Sequence, residues 1–261
     1  MGSRLPFGRT QITKSEYQRI IREDKVLEHL ESEDTSKPNK RVTAFVETVP
    51  KLLDWLEQNG RDYPWRYTTD PWRVYATEIL LQRTRADAVA NIYESFFTKF
   101  PSPQALASAD EQTIFGEVQS LGFGNQRTRS LRDAAQLCVR EYDGTVPDDL
   151  EALQEPWRVG PYSARACLLF AFDKPMALVD SNIARIFGRI FAYEMPDQPH
   201  KSDAVYTFVG AFIPDDPGVA RAINFSFLDL GAKICTSTPQ CPSCPLKRCC
   251  SFAQSISRGD L

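Results

Sequence analysis

Three groups of residues have the types and spacing to do chemistry. The densest is CTSTPQCPSCPLKRCC, which gathers five of the chain's seven cysteines. Cys235, Cys241, Cys244 and Cys250 are separated by five, two and five intervening residues. In a chain whose N-terminus lacks the apolar core of a secretory signal, such a cluster reads as metal or iron–sulfur ligands before disulfides. Zinc and an iron–sulfur cluster fit that spacing equally well. Cys249, beside Cys250, competes as the fourth ligand. The second group is Val159-Gly160-Pro161 with Tyr162, followed eighteen positions later by Asp180. A glycine free to take positive φ, then a proline at the first helical position, would turn the amides of a helix start outward, where an anion such as a phosphate binds. An ordinary turn between helices has the same composition. Asp180 opens VDSNIARIFGRIF, and its first reading there is a helix cap. The third group is Glu78 in YATEILLQRT, either a surface carboxylate or one drawn into a pocket.

The elements that position these groups are helical throughout. From Val42 to Leu56 apolar residues recur at helical spacing until Gly60, with Pro50 able to divide the run. A loop, RDYPWRYTTDPW, leads to a helix from about Arg73 through YATEILLQRT, and ADAVANIYESFFTKF forms the next, stopped by Pro101. Short helices follow near Pro103–Ala107, capped by Ser102, and Glu111–Gln119. After the turn LGFGN comes a long helix from about Gln126 to Tyr142. PDDLEALQEPWRVGPYSARACLLFAF predicts helix, tight turn, helix, and Asp180 begins one more. Helices near 202–213 and 217–234 precede the cysteines. Two-residue alternation is nearly absent, so the expected class is all-α. Cys138 and Cys167 fall in apolar helical patterns as core residues.

The chain of 261 residues can bury a substantial core, and no apolar run approaches the roughly 18 residues of a membrane span. A soluble, cytoplasmic, monomeric protein is expected. Its net charge of −3 lowers the prior for a nucleic-acid partner, although a locally basic face can coexist with acidic surroundings. Residues 1–42 are polar and of mixed charge, and predict a loosely attached arm.

The hairpin, tyrosine and aspartate together resemble the helix-hairpin-helix DNA glycosylases. Their pattern is a hairpin like LPGVG-x-[K or Y], an apolar helix, and a V-D-x-N-[V or I]-x-R-[V or I] helix start. RDYPWRYTTDPWRVYATEILLQRTRADAV is similar to a segment shared by adenine and archaeal thymine mismatch glycosylases, with PWR-x-T-x-DP-[YW] followed by TEILL-x-RT or SE-x-ML-QQT. SLGFGNQRTRSL resembles the family's second DNA-contacting turn, and its NQR favours the thymine branch. The resemblance spans roughly residues 60–250.

It implies an endonuclease III-like, two-lobed fold. A six-helix barrel lobe over 73–182 would contain the helix-hairpin-helix at about 147–172, and 43–72 with 183–261 would form the cluster lobe. The implied reaction is hydrolysis of the glycosidic bond of a mismatched base in double-stranded DNA, thymine or uracil opposite guanine, with adenine as the alternative. The adenine enzymes usually add a domain recognising oxidised guanine, and this chain stops soon after its cysteines. A modified base, or a silent DNA-structure binder, stands behind these. Asp180 would stabilise the sugar cation and direct water, Glu78 would protonate or line, and Tyr162, where endonuclease III has its Schiff-base lysine, implies a monofunctional enzyme. Gln82, Arg83, Asn125, Gln126, Arg127, Arg158, Val159 and Gly160 are the implied DNA contacts. The family's C-x6-C-x2-C-x5-C loop implies a [4Fe–4S] cluster on Cys235, Cys241, Cys244 and Cys250, one residue short in the first interval. The usual LPG reads Pro156-Trp157-Arg158 here.

Overall fold

The computed structural model describes residues 7–21 and 38–259. Among them there is no β-strand, as the missing alternation predicts. Contacts divide the chain into a discontinuous unit, residues 1–61 with 175–261, and a continuous one, residues 62–174.

The continuous unit holds six α-helices: α3 (Pro71–Leu80), α4 (Ala86–Lys99), α5 (Pro103–Ala107), α6 (Glu111–Val118), α7 (Gly124–Glu141) and α8 (Pro161–Ala171). Its axis is α3, buried from Val74 to Leu80 without interruption. A helix with no polar face must lie inside the others. Tyr75 fixes it at one side, its hydroxyl donating to Leu153 O at 2.8 Å. Side-chain caps begin α3, α5 and α6 at Asp70, Ser102 and Asp110. The expected helix ahead of the hairpin is only a 3-10 turn, Ala152–Gln154. Asp149 accepts from the Glu151 and Ala152 amides there, and Pro147 and Pro156 bracket too few residues for a longer helix.

The discontinuous unit holds α1 (Lys14–Ile20), α2 (Pro38–Asn59), α9 (Ser181–Phe191), α10 (Asp203–Gly210), α11 (Pro217–Lys233) and α12 (Ser251–Arg258). Pro50 lies within α2 and does not divide it. Phe45, Phe187, Phe191, Phe208, Phe212 and Phe227 form its core, with ring centroids such as Phe45–Phe212 at 4.9 Å in edge contact. The described part of the N-terminal arm is docked, correcting the expectation of loose attachment. Tyr17 is fully buried and donates to Phe212 O at 2.8 Å, Arg9 pairs with Asp216, and Thr10 bonds Glu57. The rest of the arm lies outside the described residues.

The unit boundaries differ from those expected at 72 and 182. Residues 62–70 belong with the six-helix unit because Tyr63 bonds Asp87 and Trp65 packs on Tyr93. Residues 175–182, including Asp180, belong with the cysteine loop's unit, where Asn224 of α11 bonds Leu178 N and Met176 O.

Candidate active site and cysteine loop

Asp180 occupies the N-cap of α9, half-buried, with Oδ1 accepting from the Ile183 amide at 2.7 Å and Oδ2 from Asn182 Nδ2 at 3.0 Å. Those two donors leave acceptor capacity on both oxygens, enough to orient a water and face a cation. Asn182 is held in turn: its Oδ1 accepts from Arg185 Nη2 at 2.7 Å, and Arg185 reaches Cys235 O at 2.8 Å and Gly231 O at 3.2 Å. Gly231 allows this contact, since a Cβ there would lie 2.5 Å from the Cβ of Asn182.

Glu78 lies on the buried face of α3, 6% exposed, with Cys167 of α8 among the groups that feel its charge. No hydrogen bond or ion pair within the described residues reaches its carboxyl. Burial without a partner disfavours the charged form and pushes the group up to about 8. The surface reading of Glu78 therefore fails. Tyr162 stands half-buried in the first turn of α8, one position after Pro161, which takes the first helical position as expected.

Within the six-helix unit, the turns after α3 and before α7 are stitched together by Arg127. It was expected at DNA, but the structure buries it. Its guanidinium donates to the carbonyls of Ile79 and Leu80, each at 2.7 Å, of Gln82 at 3.0 Å and of Gly122 at 3.4 Å. The first two are carbonyls of the last turn of α3, where a cation also meets the negative end of the helix dipole. Thr84 adds a bond to Leu121 O at 3.1 Å. Outward from this hub stand Arg83, Asn125 and Gln126, all exposed, and Phe123, 54% exposed. Arg83 and Phe123 both have φ of 53°. Phe123 was not singled out from sequence, although an apolar ring directly after a glycine in a turn is a visible signal.

At the hairpin the left-handed residue is Arg158, with φ of 62°, and Gly160 is extended at φ −105°, ψ −179°. Arginine accepts about 1–2 kcal/mol of backbone strain there that glycine would avoid. Val159 is buried and its amide donates to Pro156 O at 3.0 Å, so neither its side chain nor its N–H is available as expected. Gln82 Nε2 donates to Arg158 O at 3.2 Å and lies 3.4 Å from Ser163 Oγ.

In the cysteine loop, Cys235, Cys241, Cys244 and Cys250 lie within electrostatic reach of one another, and burial pushes Cys244 up to about 12. Arg189 grips both ends: its guanidinium lies 3.2 Å from Cys235 Sγ, and its carbonyl accepts from Cys250 Sγ at 3.4 Å. Cys249 is buried with its thiol on Leu246 O at 3.2 Å, and it too lies within electrostatic reach of Cys244 and Cys250. No group of three or more His, Cys, Asp or Glu among the described residues is arranged to hold a single metal ion.

Comparison with known proteins bears directly on these features. The family model described as HhH-GPD superfamily base excision DNA repair protein matches residues 76–207. A thymine/uracil-DNA glycosylase of Pyrobaculum aerophilum is 35% identical over 211 residues, covering 79% of this chain and 92% of that protein. An adenine DNA glycosylase of Mycobacterium tuberculosis is 32% identical over 200 residues, covering 76% of this chain and 65% of that protein. The solved structure of a thermostable thymine-DNA glycosylase superposes with a TM-score of 0.76 at 32% identity, covering 83% of this chain and 98% of the other.

Proposed function

Because the chain belongs to the HhH-GPD superfamily of base excision DNA repair proteins, we propose that it is a monofunctional glycosylase that hydrolyses the glycosidic bond of thymine or uracil opposite guanine, leaving an abasic site. The observation that carries this reading is the identity to a thymine/uracil-DNA glycosylase across 92% of that protein's length. Gln82 supports guanine as the opposite base. Its Nε2 is committed to a carbonyl and a hydroxyl, so its Oε1 is left to accept, and guanine's Watson–Crick edge offers adjacent N–H donors. Adenine is the second reading, favoured by a carboxyl at Glu78 that is protonated at neutral pH and able to protonate a purine.

In the proposed reaction the target base leaves the stack, because its glycosidic carbon is unreachable inside a duplex. Asp180 stabilises positive charge developing on the sugar and orients the attacking water with its remaining lone pairs. Glu78 donates its proton to the departing base, and Tyr162 lines the pocket without supplying an amine for strand cleavage. Arg83, Asn125 and Gln126 contact the duplex, and Phe123 is the apolar wedge. Cys235, Cys241, Cys244 and Cys250 would hold a [4Fe–4S] cluster. The grouping of these four thiols in one loop, with Arg189 on Cys235 Sγ and its carbonyl on Cys250 Sγ, supports that reading. When bound, the cluster supplies structure to the loop, since hydrolysis consumes no electron.

The test is a panel of labelled duplexes carrying G:T, G:U, A:G, A opposite oxidised G, and undamaged pairs. Alkali-dependent cleavage at thymine or uracil is the expected result, from brown protein carrying about four irons per chain. Cleavage only at adenine would shift the substrate, and strand breaks without alkali would remove the monofunctional claim.

Glu78 gives this reaction a pH signature. Its proton is held up to about pH 8, so excision should fall as pH rises through 8. The sign for stability is the same. The folded carboxyl binds a proton that the unfolded one has already released above its ordinary value of 4.5, so stability declines between 4.5 and 8. Glu78→Gln should flatten both profiles on the alkaline side; an unchanged alkaline limb in its rate profile would show that another group governs it.

A further inference from the structure

We propose that a pocket at the far end of the six-helix unit docks a short apolar segment of a partner protein that carries arginine or lysine. The pocket holds about 600 Å³, a volume in the range where ligands bind. Trp72, Tyr142 and Phe172 line it together with four prolines, and no lysine or arginine is among its walls. Proline brings no N–H, so these walls offer ring faces and acceptors but few donors. Asp70, Asp148 and Asp149 supply the charge. Lys174 already pairs with Asp148 at 3.2 Å. Asp70 and Asp149 are exposed, and each commits Oδ1 to backbone amides, of Arg73 at 2.7 Å and of Glu151 and Ala152 at 3.0 and 2.9 Å. No ion pair among the described residues engages either one, so Oδ2 of each is left to accept from an incoming cation.

Position and charge together select the occupant. Asp70 begins α3, and Tyr142 and Phe172 follow the last residues of α7 and α8. The exposed turn residues Arg83 and Phe123 and the hairpin's Arg158 lie at the opposite ends of those same three helices. At 18 residues, α7 alone separates its two ends by about 27 Å. A duplex on the turns leaves this pocket uncovered, and its phosphates would be repelled by the aspartates. Trp72 is buried and Tyr142 and Phe172 are half-buried, beneath an exposed rim of charge. An apolar, aromatic centre inside a polar rim is the layout of a protein interface. Desolvation first, and then the charges of Glu155, Glu141 and Asp149, push the Tyr142 hydroxyl up, so the field here is negative. A cationic side chain offsets that field while its apolar neighbours cover the rings.

The test titrates labelled hexapeptides of leucine and proline, carrying a single arginine, glutamine or glutamate, against the whole protein by fluorescence polarisation without DNA. The arginine peptide should saturate, the glutamine peptide should bind about tenfold more weakly, and the glutamate peptide more weakly still. Asp70→Asn combined with Asp149→Asn removes both charges, while asparagine accepts the same backbone bonds. That variant should melt with the unaltered protein and bind the glutamine peptide as well as it does, but should lose about tenfold in affinity for the arginine peptide. Failure of every peptide to bind would overturn the proposal, and so would arginine and glutamine peptides of equal affinity or a double variant that keeps the full preference for arginine. Free argininamide binding as tightly as the peptide would make this a small-cation site and remove the partner protein. Saturating arginine peptide should leave excision from a G:T duplex unchanged, and a blocked reaction would place the peptide on the DNA side instead. The titrations need no DNA, so they report on this pocket whatever becomes of the substrate assignment.

Discussion

Replacing Asp180 with asparagine should lower single-turnover excision by about a thousandfold, the scale of losing a principal electrostatic stabiliser of a transition state. Asparagine is isosteric and caps helices as well as aspartate does, so the bond from the Ile183 amide survives and α9 keeps its start. What disappears is the negative charge. Melting temperature and duplex affinity should therefore stay close to those of the unaltered protein while the rate collapses. An aspartate that served only as a cap would leave Asp180→Asn within a few-fold of full activity, and that outcome would sink the catalytic assignment.

Arg127→Met carries the largest expected cost in stability. Methionine fills most of the space but strands the carbonyls of Ile79, Leu80, Gln82 and Gly122. Buried acceptors left unmade cost about 1–3 kcal/mol each before relaxation. With partial rescue by water, a net loss of about 3 kcal/mol and a melting temperature lower by roughly 10 °C are expected. Burial already pulls the arginine down to about 10, which marks how far it is from solvent. Arg127→Lys should recover only part of the loss, because an ammonium cannot span four carbonyls from one position. Thermal unfolding measures both, and a methionine variant melting within about 2 °C of the original would refute the hub role.

Arg127 also illustrates what sequence reading could and could not reach. Its place in NQR suggested a DNA contact, as for Asn125 and Gln126, which the structure does expose. Yet residues 127, 131, 134 and 138 share one helical face with the buried Leu131, Ala134 and Cys138, and that periodicity was available. Caps at Ser102 and Asp180 and the proline at the start of α8 were legible because each depends on residues within one turn. The strained backbone at Arg158 was not legible, since only the turn's geometry reveals that arginine, and not Gly160, holds the left-handed position. Glu78 was ambiguous for a related reason: one helix cannot disclose that partners cover all its sides. The docking of Tyr17 onto Phe212 joins residues 195 positions apart, which local patterns do not report.

That last contact bears on how the protein is made. The six-helix unit is continuous from residue 62 to 174, so all its partners have been synthesised before the chain reaches Pro175. The unit flanking it has no such advantage. Tyr17 and Phe45 are synthesised early, but Phe187, Phe212 and Phe227, which cover them, come late. Until then the apolar face of α2 has only α1 of its own unit to pack on, and nascent chains stalled in that interval are the form most exposed to chaperones and to aggregation.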